Sequence, residues 1–183
     1  MVSANRKPNT DNRSVTRIKE NVMDKKLNEI INDQIKNELY SAYLYLAMAA
    51  YFESKNFPGF AHWMKVQAKE EFGHAMKFYD YVFDTNGRVV LQSIPQPPTD
   101  FASTMEVFEK TLAHEKEVTK LINNIYEEAI ELNDNAATIF LQWFITEQVE
   151  EEKNATVIIE TLKMIKPDSA GMIMYDHQLS KRE

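Results

Sequence analysis

Apolar side chains recur at alternating three- and four-residue steps along four long stretches of this chain, the spacing that lays one stripe along an α-helix. On the first stretch the stripe is Leu27, Ile31, Gln34, Glu38, Ala42, Tyr45 and Ala49. On the second it is Phe60, Met64, Gln67, Glu71, His74, Phe78 and Tyr81. The third carries Phe108, Thr111, Glu115, Val118, Ile122, Ile125 and Ala129. The fourth carries Ala137, Leu141, Phe144, Gln148, Glu151, Ala155, Ile158 and Leu162. Breakers fall between these stretches, at Pro58-Gly59, Gly87, Pro95, Pro97-Pro98, Pro167 and Gly171, with Gly73 the one interior exception. Helices are therefore predicted from about Asp24 to Lys55, Gly59 to Asn86, Ser103 to the Asn133-Asp134-Asn135 turn, and Asp134 to Lys166. A short fifth segment runs from Asp168 to about Lys181. Asp24 is the predicted N-cap of the first helix, and Ser103-x-x-Glu106 reads as a capping box for the third.

The links set the topology. About 30 helical residues rise roughly 45 Å, and four such rods pack as a bundle. Two links are short, so the first and second helices are antiparallel, as are the third and fourth. The link from about Gly87 to Ala102 holds about 16 residues and can span roughly 53 Å when extended. It can run the length of the bundle, which lets the third helix lie parallel to the second. The predicted fold is all-α: a four-helix bundle with one long crossover and a short fifth C-terminal helix.

Composition narrows the chemistry. The chain has 183 residues and no cysteine, which suits one domain and excludes disulfides, thiolate metal sites and a cysteine nucleophile. A net charge of −7 argues against a nucleic-acid partner. No apolar run approaches the roughly 18 residues of a membrane span. The charge is uneven. Residues 1–22 carry five bases and two acids, so the net −10 falls on residues 23–183. Residues 1–22 lack an apolar core and read as a disordered extension or leader, not a secretory signal. Residues 23–183 read as the folded domain.

The stripes share an anomaly near mid-length. Glu38, Glu71, Glu115 and Glu151 occupy inward positions, with His74 and Gln148 beside them, and no Lys or Arg lies on any stripe. Burying one unpaired carboxylate costs several kcal/mol. A single inward Glu could be an interhelical ion pair or a stripe misassigned by one residue. Four without basic partners need cations or shared protons, and two divalent ions would balance their charge. The halves also match: a shift of 77 positions carries Glu38 to Glu115, Glu71 to Gln148, His74 to Glu151 and Glu70 to Glu147. Glu71 and His74, three apart, share a helix face. One Glu from each of two helices plus Glu-x-x-His from the others is the bundle-core dimetal pattern. The fourth helix departs from it, with Gln148-x-x-Glu151. An oxygen-rich set with one imidazole suits Fe, Mn or Zn alike.

These residues resemble the non-haem bacterial ferritins. The resemblance rests on Asn37-Glu38-Leu39-Tyr40-Ser41, Glu70-Glu71-Phe72-Gly73-His74, His114-Glu115, Phe140-Leu141-Gln142-Trp143-Phe144 and Glu147-Gln148-Val149-Glu150-Glu151-Glu152. It implies a ferritin-like fold and a ferroxidase that oxidises Fe(II) to Fe(III) with oxygen or peroxide. It implies two irons per centre: Glu38, Glu71 and His74 on the first, with Glu71 bridging, and Glu115, Gln148 and Glu151 on or beside the second. Glu70, Glu147 and Glu150 match a third iron site nearby. Tyr45 matches a tyrosine that can donate an electron. The ferric product would be stored as mineral in a hollow cytoplasmic shell of 24 subunits.

Three rival readings are weighed against this. A haem-carrying bacterioferritin would place a haem-ligating Met where Phe72 stands and a His on the fourth helix, so no haem is expected. A rubrerythrin-like peroxide-detoxifying protein would typically add a Cys-ligated iron domain. A non-catalytic shell subunit would pair its acids with lysines. Trp143 and the Met and aromatic positions read as core or subunit contacts, and His114 as a support for the neighbouring Glu115 or as a surface or interface residue. His62 and His177 have no evident partner. Asn133 and Asp134 read as pore residues or as the cap of the fourth helix. The fifth segment, with Met172, Ile173, Met174, Tyr175 and Leu179, reads as contact surface for neighbouring subunits.

Overall fold

Five helices carry the chain in a computed structural model that describes residues 23–167 and 169–183; the expected leader, residues 1–22, lies outside the described residues. They are α1 (Lys25–Ser54), α2 (Pro58–Asp84), α3 (Thr104–Glu131), α4 (Asn135–Met164) and α5 (Ala170–Leu179), with no strand among the described residues. Local chemistry sets their ends. The Asp24 carboxylate accepts from the Lys26 and Leu27 amides at 2.8 and 3.3 Å, satisfying donors that the first turn leaves free. Ser103 Oγ accepts from the Glu106 amide at 3.1 Å. The reciprocal half of the capping box is displaced, because Glu106 accepts from the Ala102 amide instead of that of Ser103. Asp134 caps α4, accepting from the Ala137 amide at 3.0 Å. Asn56, Asn86 and Asn133 end α1, α2 and α3 at φ 60°, 55° and 55°, a left-handed conformation that Asn tolerates better than other side chains.

All the stripe residues named above are buried. Their apolar members form two clusters. One gathers Met48, Phe52, Phe60, Met64, Phe108, Ile158 and Leu162. The other gathers Leu27, Ile31, Phe78, Ile122, Ile125, Leu141 and Phe144. Along α2 and α3 the chain passes from the first cluster to the second; along α1 and α4 it passes the other way. This order gives the predicted directions, with α2 parallel to α3. Residues 85–103 form the crossover alongside α1. Asn32 pins its start, donating to the Arg88 carbonyl at 2.9 Å and accepting from the Val90 amide at 2.6 Å. Phe101 packs edge-on against Tyr51 near the far end of α1, with ring centroids 5.3 Å apart.

Of the apolar side chains of α5 expected to contact neighbouring subunits, part is used within the chain itself. Met172, Tyr175 and Leu179 are buried on this chain's own bundle, while Ile173 and Met174 stay exposed. Asp176 of α5 accepts from the Phe60 amide at 2.9 Å. It thereby caps the start of α2, where Phe57 provides no side-chain cap. Gly59 permits this approach, since a Cβ there would lie 1.7 Å from the Asp176 carbonyl oxygen. No described helix is long and apolar enough to cross a membrane.

Candidate metal centre

Between the two apolar clusters lies a polar band built from one turn of each long helix. Glu38 comes from α1, Glu71 and His74 from α2, Glu115 from α3, and Gln148 and Glu151 from α4, and all six are at most 5% exposed. The four carboxylates and the imidazole fall into two groups, Glu38–Glu71–His74 and Glu71–Glu115–Glu151, with one donor atom per residue in each group within 4.8 Å of the others. Glu71 belongs to both. His74 Nδ1 lies 3.4 Å from Glu71 Oε2. No Lys or Arg pairs with Glu38, Glu71, Glu115 or Glu151 among the described residues.

Neutral donors hold the carboxylates instead. Gln34 donates to Glu38 at 2.7 Å. Gln67 donates to both Glu71 and Glu151, at 2.9 and 2.8 Å. Gln148 Nε2 lies 3.1 Å from Glu115 Oε2 and 3.2 Å from the Glu115 carbonyl oxygen. The Tyr45 hydroxyl donates to Glu115 Oε1. The stripes already place Gln34 and Gln67 inward, but the sequence gives them no role. The available signal is their spacing: each lies one helical turn before an inward Glu.

These donors do not offset the charge. Burial, then the Glu71 charge, pushes the Glu38 carboxyl well above the usual range. The same two causes in the same order raise Glu115 to about 8 and Glu151 to about 9. Burial, then Glu115, holds the Tyr45 phenol well above its ordinary value. Glu38 Oε2 and Gln67 Oε1 are buried with no hydrogen-bond partner. Carboxylates that resist ionisation alone, together with orphaned oxygens, fit a site whose charge is balanced by cations. Four carboxylates, one imidazole and one carboxamide are donors that suit hard, oxygen-seeking divalent ions.

Glu70, Glu147 and Glu150 are not drawn into either group. Glu70 is partly exposed and paired with Arg182, which also stacks on Trp63 at 4.3 Å. Burial is the main cause that raises the Glu70 carboxyl, with Arg182 opposing it. Glu147 Oε1 lies 3.9 Å from His74 Nε2, and Glu150 is exposed. Trp143 is not a core residue: it is 40% exposed, edge-on to His74, with Lys77 Nζ 3.1 Å from its ring centroid. His114, expected at the surface or an interface, is partly buried, with Ser41 Oγ 2.7 Å from its Nε2 and the rings of Tyr40 and Tyr45 edge-on. His62 has a partner, the Arg182 carbonyl oxygen at 2.7 Å.

Comparison with known proteins supplies a context for this geometry. The family model described as a ferritin-like domain matches residues 28–165. A protein of Bacteroides fragilis (strain 638R) named bacterial non-heme ferritin is 40% identical over 161 residues, 88% of this chain and 100% of that protein. Its namesake in Staphylococcus haemolyticus (strain JCSC1435) is also 40% identical, over 88% of this chain and 97% of its own. Among solved structures, an open-pore ferritin from the hyperthermophilic archaeon Archaeoglobus fulgidus superposes with a TM-score of 0.87 at 44% identity, covering 88% of this chain and 98% of that one.

Proposed function

The chain belongs to the ferritin-like-domain family, and from that premise we propose that it is an iron-storage ferritin that oxidises Fe(II) within the buried polar band. The observation that carries the proposal is the sharing of Glu71 between two donor groups. In this reading Glu38, Glu71 and His74 hold one Fe(II), and Glu115 and Glu151, with Gln148 beside them, hold the second. Glu71 bridges the two. Two Fe(II) together release the two electrons that, with two protons, convert O2 to hydrogen peroxide or hydrogen peroxide to two waters. The carboxylates favour the ferric product, because hard anionic oxygens gain more from the higher charge. Gln34 and Gln67 orient Glu38, Glu71 and Glu151, and Tyr45 holds Glu115 and is placed to supply a further electron.

Gln148 stands where a second Glu-x-x-His would begin. A neutral carboxamide binds iron less firmly than a carboxylate, which suits a site that passes its product onward. Glu70, Glu147 and Glu150 would receive that product, and Glu70 must first leave Arg182. The proposal places the centre in a hollow cytoplasmic shell of 24 chains, with Ile173 and Met174 of α5 as contact surface. Aerobic addition of Fe(II), read as ferric absorbance with the particle sized before and after, tests it. A large particle that turns ferric faster than buffer is expected; a small, iron-inert particle would overturn it.

A further inference from the structure

The α3–α4 flank carries a feature that the oxidation reading leaves unused. A cavity of about 320 Å3 opens there, walled by Thr119, Ile122 and Asn123 from α3 and by Ile145, Gln148 and Glu152 from α4. Its wall includes Gln148, a member of the polar band. Cavities against Tyr51 and Met105, against Tyr43 and the crossover, and against Glu109 and Lys163 touch no member of the band.

A chain of polar side chains leads inward from it. The Thr119 hydroxyl is 2.7 Å from Glu152 Oε1 and 3.0 Å from the Glu115 carbonyl oxygen. Gln148 Nε2 is 3.4 Å from Thr119 Oγ1 and 3.1 Å from Glu115 Oε2. The hydroxyl oxygen has two lone pairs and accepts only from Gln148 Nε2, so Thr119 keeps one lone pair for a passing cation. From partly exposed Glu152 through Thr119 to buried Glu115 the path offers oxygens, with the Gln148 amide nitrogen set among them. The other flanks are more obstructed: the α2–α4 side does offer Glu147 beside His74, but it serves the first half of the centre. Between α1 and α3, the Ser41–His114 contact and the rings of Tyr40 and Tyr45 close the surface. Between α2 and α4, Glu70 is taken by Arg182, and Lys77 lies over Trp143 beside His74. The bundle ends are filled by phenylalanine rings, and crossing them would strip a cation of water without replacement.

Resting on the two-metal reading above, we infer that the α3–α4 groove is the port by which divalent cations reach the second half of the centre. Glu152 captures the ion at the mouth, Thr119 passes it inward, and Gln148 is the gate. The Gln148 amide now directs Nε2 at Glu115. A half-turn of its terminal torsion replaces that donor with Oε1, which a cation between Gln148 and Glu115 would favour.

The test uses the full chain and Co(II), which binds without being oxidised by O2 on this timescale and is followed by stopped-flow visible absorbance. Asn123→Trp narrows the exposed mouth, and Glu152→Gln removes its charge. Glu152→Gln is expected to slow Co(II) association about tenfold, the scale of electrostatic steering, and Asn123→Trp to slow it by obstruction, both at an unchanged final amplitude. Asn123→Ala, which widens the mouth, keeps the wild-type rate. Unchanged rates in both Asn123→Trp and Glu152→Gln would overturn the port, as would a lost amplitude at an unchanged rate, which would make Glu152 a ligand instead. A wild-type chain that takes up no Co(II) would sink the two-metal reading itself, and the port with it.

Discussion

The polar band and the apolar ends are built by the same four helices on the same stripes, yet they obey opposite physics. In the ends, Phe78 stacks on Phe144 with centroids 4.0 Å apart, and Phe52 on Phe60 at 5.1 Å. Those side chains lose nothing by burial. One turn away, Glu38, Glu71, Glu115 and Glu151 are buried as deeply but without cationic side chains. The ends supply stability; the band spends some of it to hold carboxylates where water would otherwise solvate them. The contrast teaches that burial alone does not identify a core: what matters is whether a buried group is complete without a ligand.

Variants can break this contrast from either side. The largest expected effect is on chemistry. Glu71→Gln removes the shared anion, and ferric absorbance after aerobic Fe(II) addition should fall by on the order of a hundredfold or more, while the iron-free chain melts no lower than wild type. Next is the converse. Phe78→Ala should cost about 3–5 kcal/mol in denaturant unfolding and leave the number of Fe(II) bound per folded chain unchanged. Smaller is Gln148→His, which replaces a weak carboxamide donor with a stronger imidazole one. It should tighten the weaker Fe(II) site about tenfold, or about 1.4 kcal/mol, in an anaerobic titration.

The band also predicts a pH dependence. Glu115 and Glu151 have folded values near 8 and 9, above the ordinary carboxylate value of 4.5. The folded state therefore holds more protons than the unfolded state between those limits. Stability of the iron-free chain should fall as pH rises from about 5 to about 9 and level off beyond. Melting curves across that range check the slope, which Glu151→Gln should reduce. The smallest effect lies on the band's own turn of α2, away from its ligand side chains. Gly73 sits mid-helix in α2, and a Cβ there meets nothing within 4 Å. Gly73→Ala should therefore add about 0.5–1 kcal/mol, read as a raised midpoint of denaturation.

The stripes were legible because helical period is a local property, and one face of each helix must find the core. The inward carboxylates were legible for the same reason, as violations of that pattern. Less legible were features that join residues distant in the chain. Asp176 caps α2 from more than a hundred residues away. Arg182 reaches Glu70, and Ser41 meets His114, across separations with no periodic trace. Gln34 and Gln67 were placed correctly but carried no signal of role, since a glutamine on a stripe resembles a tolerated polar substitution until its partners are known. For Trp143 the pattern left core and subunit contact open, and only the folded chain shows it partly exposed, with one face of the ring given to Lys77.

The central claim is that the band is a two-metal site organised by Glu71. Anaerobic calorimetric titration of the full chain with Fe(II), wild type beside Glu71→Gln, tests it most directly. The account predicts two Fe(II) per wild-type chain in the band and weakened binding at both positions in the variant. One site lost and the other untouched, or identical isotherms for the two proteins, would contradict it.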